Sequence, residues 1–309
     1  MKIIFIFLLM ILIIIFYKSN EQSLLEFNPF KNQINLKNTS IERFLGDGLE
    51  LNKETNSSNP LEIKASLKKK PKYHNLVIVS ILDSSSNSNS NSNVLDTILK
   101  NKHSNKFDII VVFSNNTIAE TSNYKKLAKY TYINNGSKFQ NLHFIYNNHM
   151  DVLNKYERFF VLDSDINIDT ISINKMFDLS ERYTLMISGP TFEHTSNTVM
   201  LSRKRTSLRY VNFVECSVPL FNRQALDKLM KYYDPALMDE GVDYLYIWAC
   251  GESESNKYAV ADNVTCSRTE TNGYGEDNNH NSIWDKFAKK WGIKHNKKNH
   301  RNWKTVRLK

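Results

Sequence analysis

Cysteine is scarce in this chain: Cys216, Cys250 and Cys266 are the only three in 309 residues. So few and so scattered, they exclude a zinc cage and a disulfide framework. At most one pair can close, with Cys250 and Cys266 the nearer in sequence. Acid is missing from the C-terminal end. Residues 286–309 carry ten Lys or Arg and no Asp or Glu, which leaves 31 basic against 32 acidic side chains in the other 285. The formal charge of +9 is therefore a basic tail on a neutral body. Trp291 and Trp303 among those lysines permit nucleic-acid binding by composition, but the neutral body argues against that partner. A tail behind a folded domain is better matched to acidic glycans or anionic lipid heads.

A full-length membrane span is also lacking. The apolar run at residues 3–17, between Lys2 and Lys18, is fifteen residues long. That is short of the roughly 20 that cross a bilayer and within the range of a signal-peptide core. No small-x-small cleavage signal follows in YKSNEQS, so residues 1–19 are expected to be an uncleaved signal-anchor helix, in a thin Golgi or endoplasmic reticulum membrane. Were it cleaved, the protein would be secreted. Residues 20–73 are polar, rich in Asn and Lys, and without periodicity, as in a stem. N-glycosylation sequons at Asn38, Asn56, Asn115, Asn135 and Asn263 agree mildly with a lumenal location.

What is present, with 41% hydrophobic and 24% charged residues, is a globular domain expected at residues 74–285, followed by the basic tail at 286–309. Apolar strands are predicted at 75–81, 107–113 and 159–162, with helices between them at 94–100, 124–130 and 138–156. This alternation implies an α/β fold with a mostly parallel central sheet flanked by helices. The Ser/Asn run at 84–93 reads as a flexible surface loop. Further on, residues 171–180 read as helix, 185–188 as extended, and Gly189-Pro190 as a break. Residues 210–220 read as a strand, 223–233 and 244–249 as helices, 257–262 as a strand and 283–291 as a last helix.

The chemistry concentrates where the strand in YERFFVLDSDINIDT ends in Asp163-Ser164-Asp165. At a period of two, both carboxylates project to one side, and adjacent carboxylates need a cation or proton between them. A divalent metal is the usual solution, and ligand sites of α/β sheets lie at the carboxyl ends of their strands. The plainer alternative is one capping and one solvated Asp. A strand-end Asp-x-Asp also occurs in haloacid-dehalogenase-type phosphatases, but these want Thr or Val where this chain has Asn167.

Several segments resemble a glycosyltransferase-like family catalogued as domain of unknown function 707. Gly136-Ser137-Lys138-Phe139 is similar to its GGKW turn, and residues 156–166 to its YDYFWFPDDDI. Asn212-Phe213-Val214-Glu215 with Pro219 resembles TNFVE…P.F, and residues 234–245 resemble HPEL…GWGIDWLW. The resemblance runs in order from Asn75 to Thr269. It implies a GT-A-like fold, a metal-dependent transfer of sugar from a nucleotide sugar to a glycan or glycoconjugate, and Mn2+ or Mg2+ at Asp163 and Asp165. The expected donor site adds Lys138 and Arg268 to that pair. Asp243 is the favoured acceptor base, with Glu240 and Glu215 as competitors; Glu215 has a structural alternative as partner to Arg203, Arg205 or Arg209. In one position the chain departs from the family, since Arg268 stands where the family strand carries a His. Arg cannot ligate a metal but binds diphosphate directly. This leaves as alternative a decayed transferase fold that only binds or scaffolds glycans.

Overall fold

A computed structural model of the chain describes residues 72–81, 92–251, 256–268, 278–294 and 300–307, all within one compact unit, Leu61–Lys309. The expected signal anchor, and all but the end of the expected stem, lie outside the described residues. Among the described residues no helix is long and apolar enough to cross a membrane.

The first half follows the strand–helix alternation. β1 (Asn75–Ile81), β2 (Asp108–Phe113) and β4 (Arg158–Leu162) are apolar on both faces and almost wholly buried. Strands without a polar side must be covered on both faces. The helices of this half are α1 (Asn93–Lys100), α2 (Asn116–Thr121), α3 (Lys138–Asn148) and α4 (Met150–Leu153). The stretch expected as a helix at 124–130 is instead a 3-10 turn, Asn123–Lys126, leading into β3 (Tyr130–Ile133). Its β-branched and aromatic YTYI favours a strand. The low-complexity loop is ordered at its far end: Ser92 is fully buried, caps α1 and donates through Oγ to the Ser164 carbonyl at 3.0 Å.

The second half changes the character of the sheet. It adds β5 (Ile166–Asn167), α5 (Thr170–Arg182), β6 (Ile187–Phe192), β7 (Thr206–Val211), β8 (Leu220–Asn222), α6 (Arg223–Tyr232), α7 (Val242–Cys250), β9 (Tyr258–Arg268), α8 (Asn278–Trp291) and β10 (Asn302–Arg307). Among the described residues the strand order is β10-β7-β9-β6-β8-β4-β1-β2-β3, with β5 paired to β9. β1 is parallel to β2 and β4, β2 to β3, and β6 to β9. β8 runs antiparallel between β4 and β6, and β7 antiparallel between β9 and β10. The sheet is therefore mixed, not mostly parallel as the alternation implied. Helix crossovers supply parallel strands, whereas the second half returns through short strands and loops that reverse direction.

Gly189-Pro190 does not break the chain but lies inside β6. β8 pairs with β6 only at Ile187 and Ser188, and a register shift follows Pro190 on the β9 side. The proline thus removes no ladder hydrogen bond toward β8. The expected strand at 210–220 is split: β7 ends at Val211, β8 begins at Leu220, and residues 212–219 form a loop. The stretch read as a basic tail contains β10, which pairs along β7.

Two buried features hold this half. Arg209 and Asp262, both with fully buried side chains, join β7 to β9, with Nε 3.0 and 2.9 Å from the two carboxylate oxygens. Asp262 also accepts from Arg203 N at 3.0 Å. Arg209 is thus the partner of Asp262 and not of Glu215. Gly241, at the N-terminus of α7, has φ +68, and a Cβ there would fall inside the Trp284 ring. Arg209→Met leaves a buried carboxylate without its counter-charge and is expected to cost about 3–5 kcal/mol. Chemical denaturation measures this, and a loss below about 1 kcal/mol, the worth of an exposed pair, would contradict the buried bridge.

Candidate active site

The chain order places a topological switch between β1 and β4: from β1 the path runs to β2 and β3 on one side, then returns to β4 on the other. In open α/β sheets the crevice at the carboxyl end of such a switch is where ligands bind. β4 delivers Asp163 to that crevice. Ile166 N donates to Asp163 O at 3.3 Å, closing a turn over residues 163–166, and Asp163 N donates to Ser217 O at 3.2 Å. β5 then pairs with the far end of β9, with Ile166 opposite Arg268. That register sets the guanidinium beside both aspartates.

The result is a compact ion cluster. Asp163 Oδ1 lies 2.7 Å from Lys138 Nζ, and Asp163 Oδ2 lies 2.6 Å from Arg268 Nη2. Arg268 Nε reaches Asp165 Oδ2 at 3.1 Å, and Nη2 also donates to Ser217 Oγ at 2.9 Å. The Lys138 side chain is only 5% exposed, against 42% for Arg268. Burial works to lower the Lys138 pKa, but Asp163, Cys216 and Asp239 outweigh it and the value is raised. The same contest, won by Asp163 and Asp165, raises Arg268. Burial, and secondarily Asp163, raises Asp165, against the pull of Arg268.

Lys138 comes from the first turn of α3. The N-terminus of this helix is satisfied within the protein: Gln140 Oε1 accepts from Ser137 N at 2.8 Å, and Asp239 Oδ1 accepts from Ser137 Oγ at 2.8 Å and Phe139 N at 2.9 Å. The helix therefore presents an ammonium to the crevice, and Nζ also donates to the Cys216 carbonyl at 2.6 Å. Loop 212–219 packs closely: a Cβ on Gly189 would stand 3.0 Å from Val214 Cγ1, and the Tyr246 hydroxyl donates to Val214 O.

The loop brings Glu215 and Cys216 to Asp243 in the first turn of α7, with one ligand atom of each lying within 4.8 Å of the others. These groups adjoin the ion cluster, since the Cys216 carbonyl accepts from Lys138 and the next residue, Ser217, accepts from Arg268. Burial, then Asp243 and Glu215, push the Cys216 thiol well up, and Tyr244 is raised to about 12, mainly by burial. Of the residues expected from sequence, Lys138, Asp163, Asp165 and Arg268 form one cluster and Glu215 and Asp243 a second beside it. Glu240 is outside this second group; its neighbour Asp239 turns to α3 instead. Asp239, Ser217 and the Cys216 carbonyl were not foreseen. Asp239 lies about a hundred residues from the helix it caps, and no local pattern signals such a cap.

The expected Mn2+ or Mg2+ does not fit this arrangement. Both oxygens of Asp163 and one of Asp165 are taken by protein cations, so the aspartate pair is already neutralised. The neighbouring trio is no substitute, because Mn2+ and Mg2+ want oxygen ligands and a thiol with a raised pKa stays protonated. The three cysteines are free, with Cys250 and Cys266 buried, so the sequence-neighbour pair is not closed. A separate cavity of about 610 Å³, lined by Arg158, Arg223 and Lys231 among others, lies at the other end of β4. It is remote from the carboxyl-end crevice.

An α/β protein with a cation–carboxylate crevice at its switch point is thus defined. Residues 45–211 match the family described as "Protein of unknown function (DUF707)", and the chain belongs to that family. The match includes Lys138, Asp163 and Asp165; Glu215, Asp243 and Arg268 lie beyond it. A search of curated proteins gives no match. Among solved structures, S. aureus TarS 1-349 is similar at 12% identity and TM-score 0.45, over 63% of this chain and 60% of that one. The same TarS fragment in complex with UDP-GlcNAc is similar at 11% and 0.45, over 72% and 68%. GalNAc-T7 with UDP, GalNAc and Mn2+ is similar at 11% and 0.47, over 70% and 48%. At these scores the likenesses carry no argument about chemistry.

Asp163→Asn removes the shared partner of Lys138 and Arg268. Thermal or urea unfolding is expected to show a loss of about 2–3 kcal/mol, below that of a fully buried pair because Arg268 is open to water. Asp165→Asn, which leaves Arg268 on Asp163, is expected to cost under about 1 kcal/mol. Equal losses from the two would contradict the central place of Asp163. Because burial raises Cys250 to about 11, Cys266 to about 12 and Cys216 well above its ordinary value, the native chain is expected to label slowly with a thiol reagent at pH 8, and all three thiols promptly after denaturation.

Proposed function

We propose that this chain is a glycosyltransferase of GT-A-like architecture, moving a sugar from a nucleotide-sugar donor to a hydroxyl of a glycan or glycoconjugate. One observation carries the reading: two protein cations and two separate carboxylates face one crevice at the carboxyl end of β4. Transfer from a nucleotide sugar needs both halves. The diphosphate leaving group gains negative charge as the glycosidic bond breaks, and pre-placed donors at that position stabilise the transition state. Arg268 and Lys138 are the groups available for this. The acceptor hydroxyl loses its proton as it attacks, which calls for a carboxylate within hydrogen-bond reach. Asp243 is held at a helix start, its Oδ1 accepting from Tyr244 N at 2.9 Å, and is the favoured base. Glu215 is the competitor from the loop.

The apolar run at residues 3–17 and the polar stem support a membrane-held enzyme with its domain in the Golgi or endoplasmic reticulum lumen. The basic residues after position 285 suit an acidic glycan or a lipid surface better than nucleic acid.

The test is incubation of the purified chain with a panel of nucleotide sugars and measurement of donor hydrolysis and transfer. At least one donor is expected to turn over, with Asp243→Asn lowering kcat by roughly 10²–10⁴-fold while donor affinity stays within a few-fold. Glycan binding with no donor bound or turned over would replace the enzyme by a binding protein on the same fold.

A further inference from the structure

We infer that the crevice holds a diphosphate without a divalent ion, Arg268 and Lys138 supplying the positive charge and the aspartate pair serving to position them. The inference rests on the nucleotide-sugar reading above and specifies how that ligand is held.

The arrangement of donors leads to it. Lys138 is anchored at two acceptors, Asp163 Oδ1 at 2.7 Å and the Cys216 carbonyl at 2.6 Å. An ammonium has three N–H donors, so one remains after these two bonds. The side chain is held in place, with 5% of its surface exposed. Arg268 spends Nε on Asp165 and Nη2 on Asp163 and Ser217. Its Nη1 has no partner among the described residues, and the side chain is 42% exposed. A guanidinium fixed along one edge and open on the other is built to take a second anion. The backbone is fixed as well, by the β5–β9 pairing at Ile166 and Arg268.

A divalent ion would have to displace what is there. To coordinate Asp163 it must compete with a guanidinium and an ammonium, one on each oxygen, and Lys138 would be left buried beside a second cation. Breaking a buried pair in this way is strongly unfavourable. A diphosphate meets no such obstacle, since it adds to the open side of Arg268 and to the remaining Lys138 donor while both existing pairs stay intact. Asp163 and Asp165 are on this view positioning residues for the two cations.

The experiment is calorimetric titration of the full chain with inorganic pyrophosphate and with nucleoside diphosphates, in EDTA and in Mn2+. Pyrophosphate or a nucleoside diphosphate is expected to bind equally in both, with affinity falling as salt rises. Arg268→Gln is expected to weaken binding about tenfold, and Arg268→Lys by less. Asp165→Asn is the discriminating variant: it loosens one edge of Arg268 and is expected to weaken binding about threefold, by the same factor in EDTA as in Mn2+. Paramagnetic resonance should show the signal of free Mn2+ undiminished by the protein. Binding that appears only with Mn2+, and is lost with Asp165→Asn, overturns this inference and leaves the glycosyltransferase reading standing. Binding in neither condition overturns both.

Discussion

The site depends on one carboxylate. Asp163 offers one oxygen to Lys138 and the other to Arg268, and those partners come from the start of α3 and the end of β9. A single side chain thereby ties the parallel half of the sheet to the end of β9, 105 residues further along the chain. The cost of enclosing Lys138 is offset by Asp163 and the Cys216 carbonyl, and Cys216 belongs to the loop that also carries Glu215. Disturbing Asp163 therefore disturbs the cations, the loop and the carboxylates beside it together.

That dependence sorts the groups by task. Cations that are already paired and held in place cost little reorganisation when a charged leaving group develops next to them. On the proposed function, the carboxylates on the neighbouring loop and helix are left to move a proton. The acid pair that first suggested a metal site thus has a different consequence once Arg268 is in place. Where a His would complete a metal shell, an Arg brings its own charge and occupies the ligands a metal would use.

Much of this was legible in the residues. Unbroken apolar strands and the helices between them gave the parallel half, and the abrupt VLDSD ending marked where a crevice opens. Lys138, Arg268, Glu215 and Asp243 could be nominated from family-like segments. Other features depended on long-range pairing that no local pattern records. β3 has four residues and β10 lies in a basic stretch, and their pairing with β2 and β7 identifies them. Pro190 reads as a break until β8 is seen to stop pairing at Ser188. Asp239 caps a helix about a hundred residues away. The neutralisation of Asp163 was hidden for the same reason: Arg268 is distant in sequence and meets it through the β5–β9 register, and Lys138 reaches it from the start of α3.

The most direct test of this account is a crystal of the chain soaked with a nucleoside diphosphate and Mn2+, with data collected at the manganese absorption edge. Phosphate oxygens within about 3 Å of Lys138 Nζ and the Arg268 guanidinium, with no anomalous peak between Asp163 and Asp165, are the predicted result. A manganese ion bridging the two aspartates, with Arg268 swung away, would contradict it.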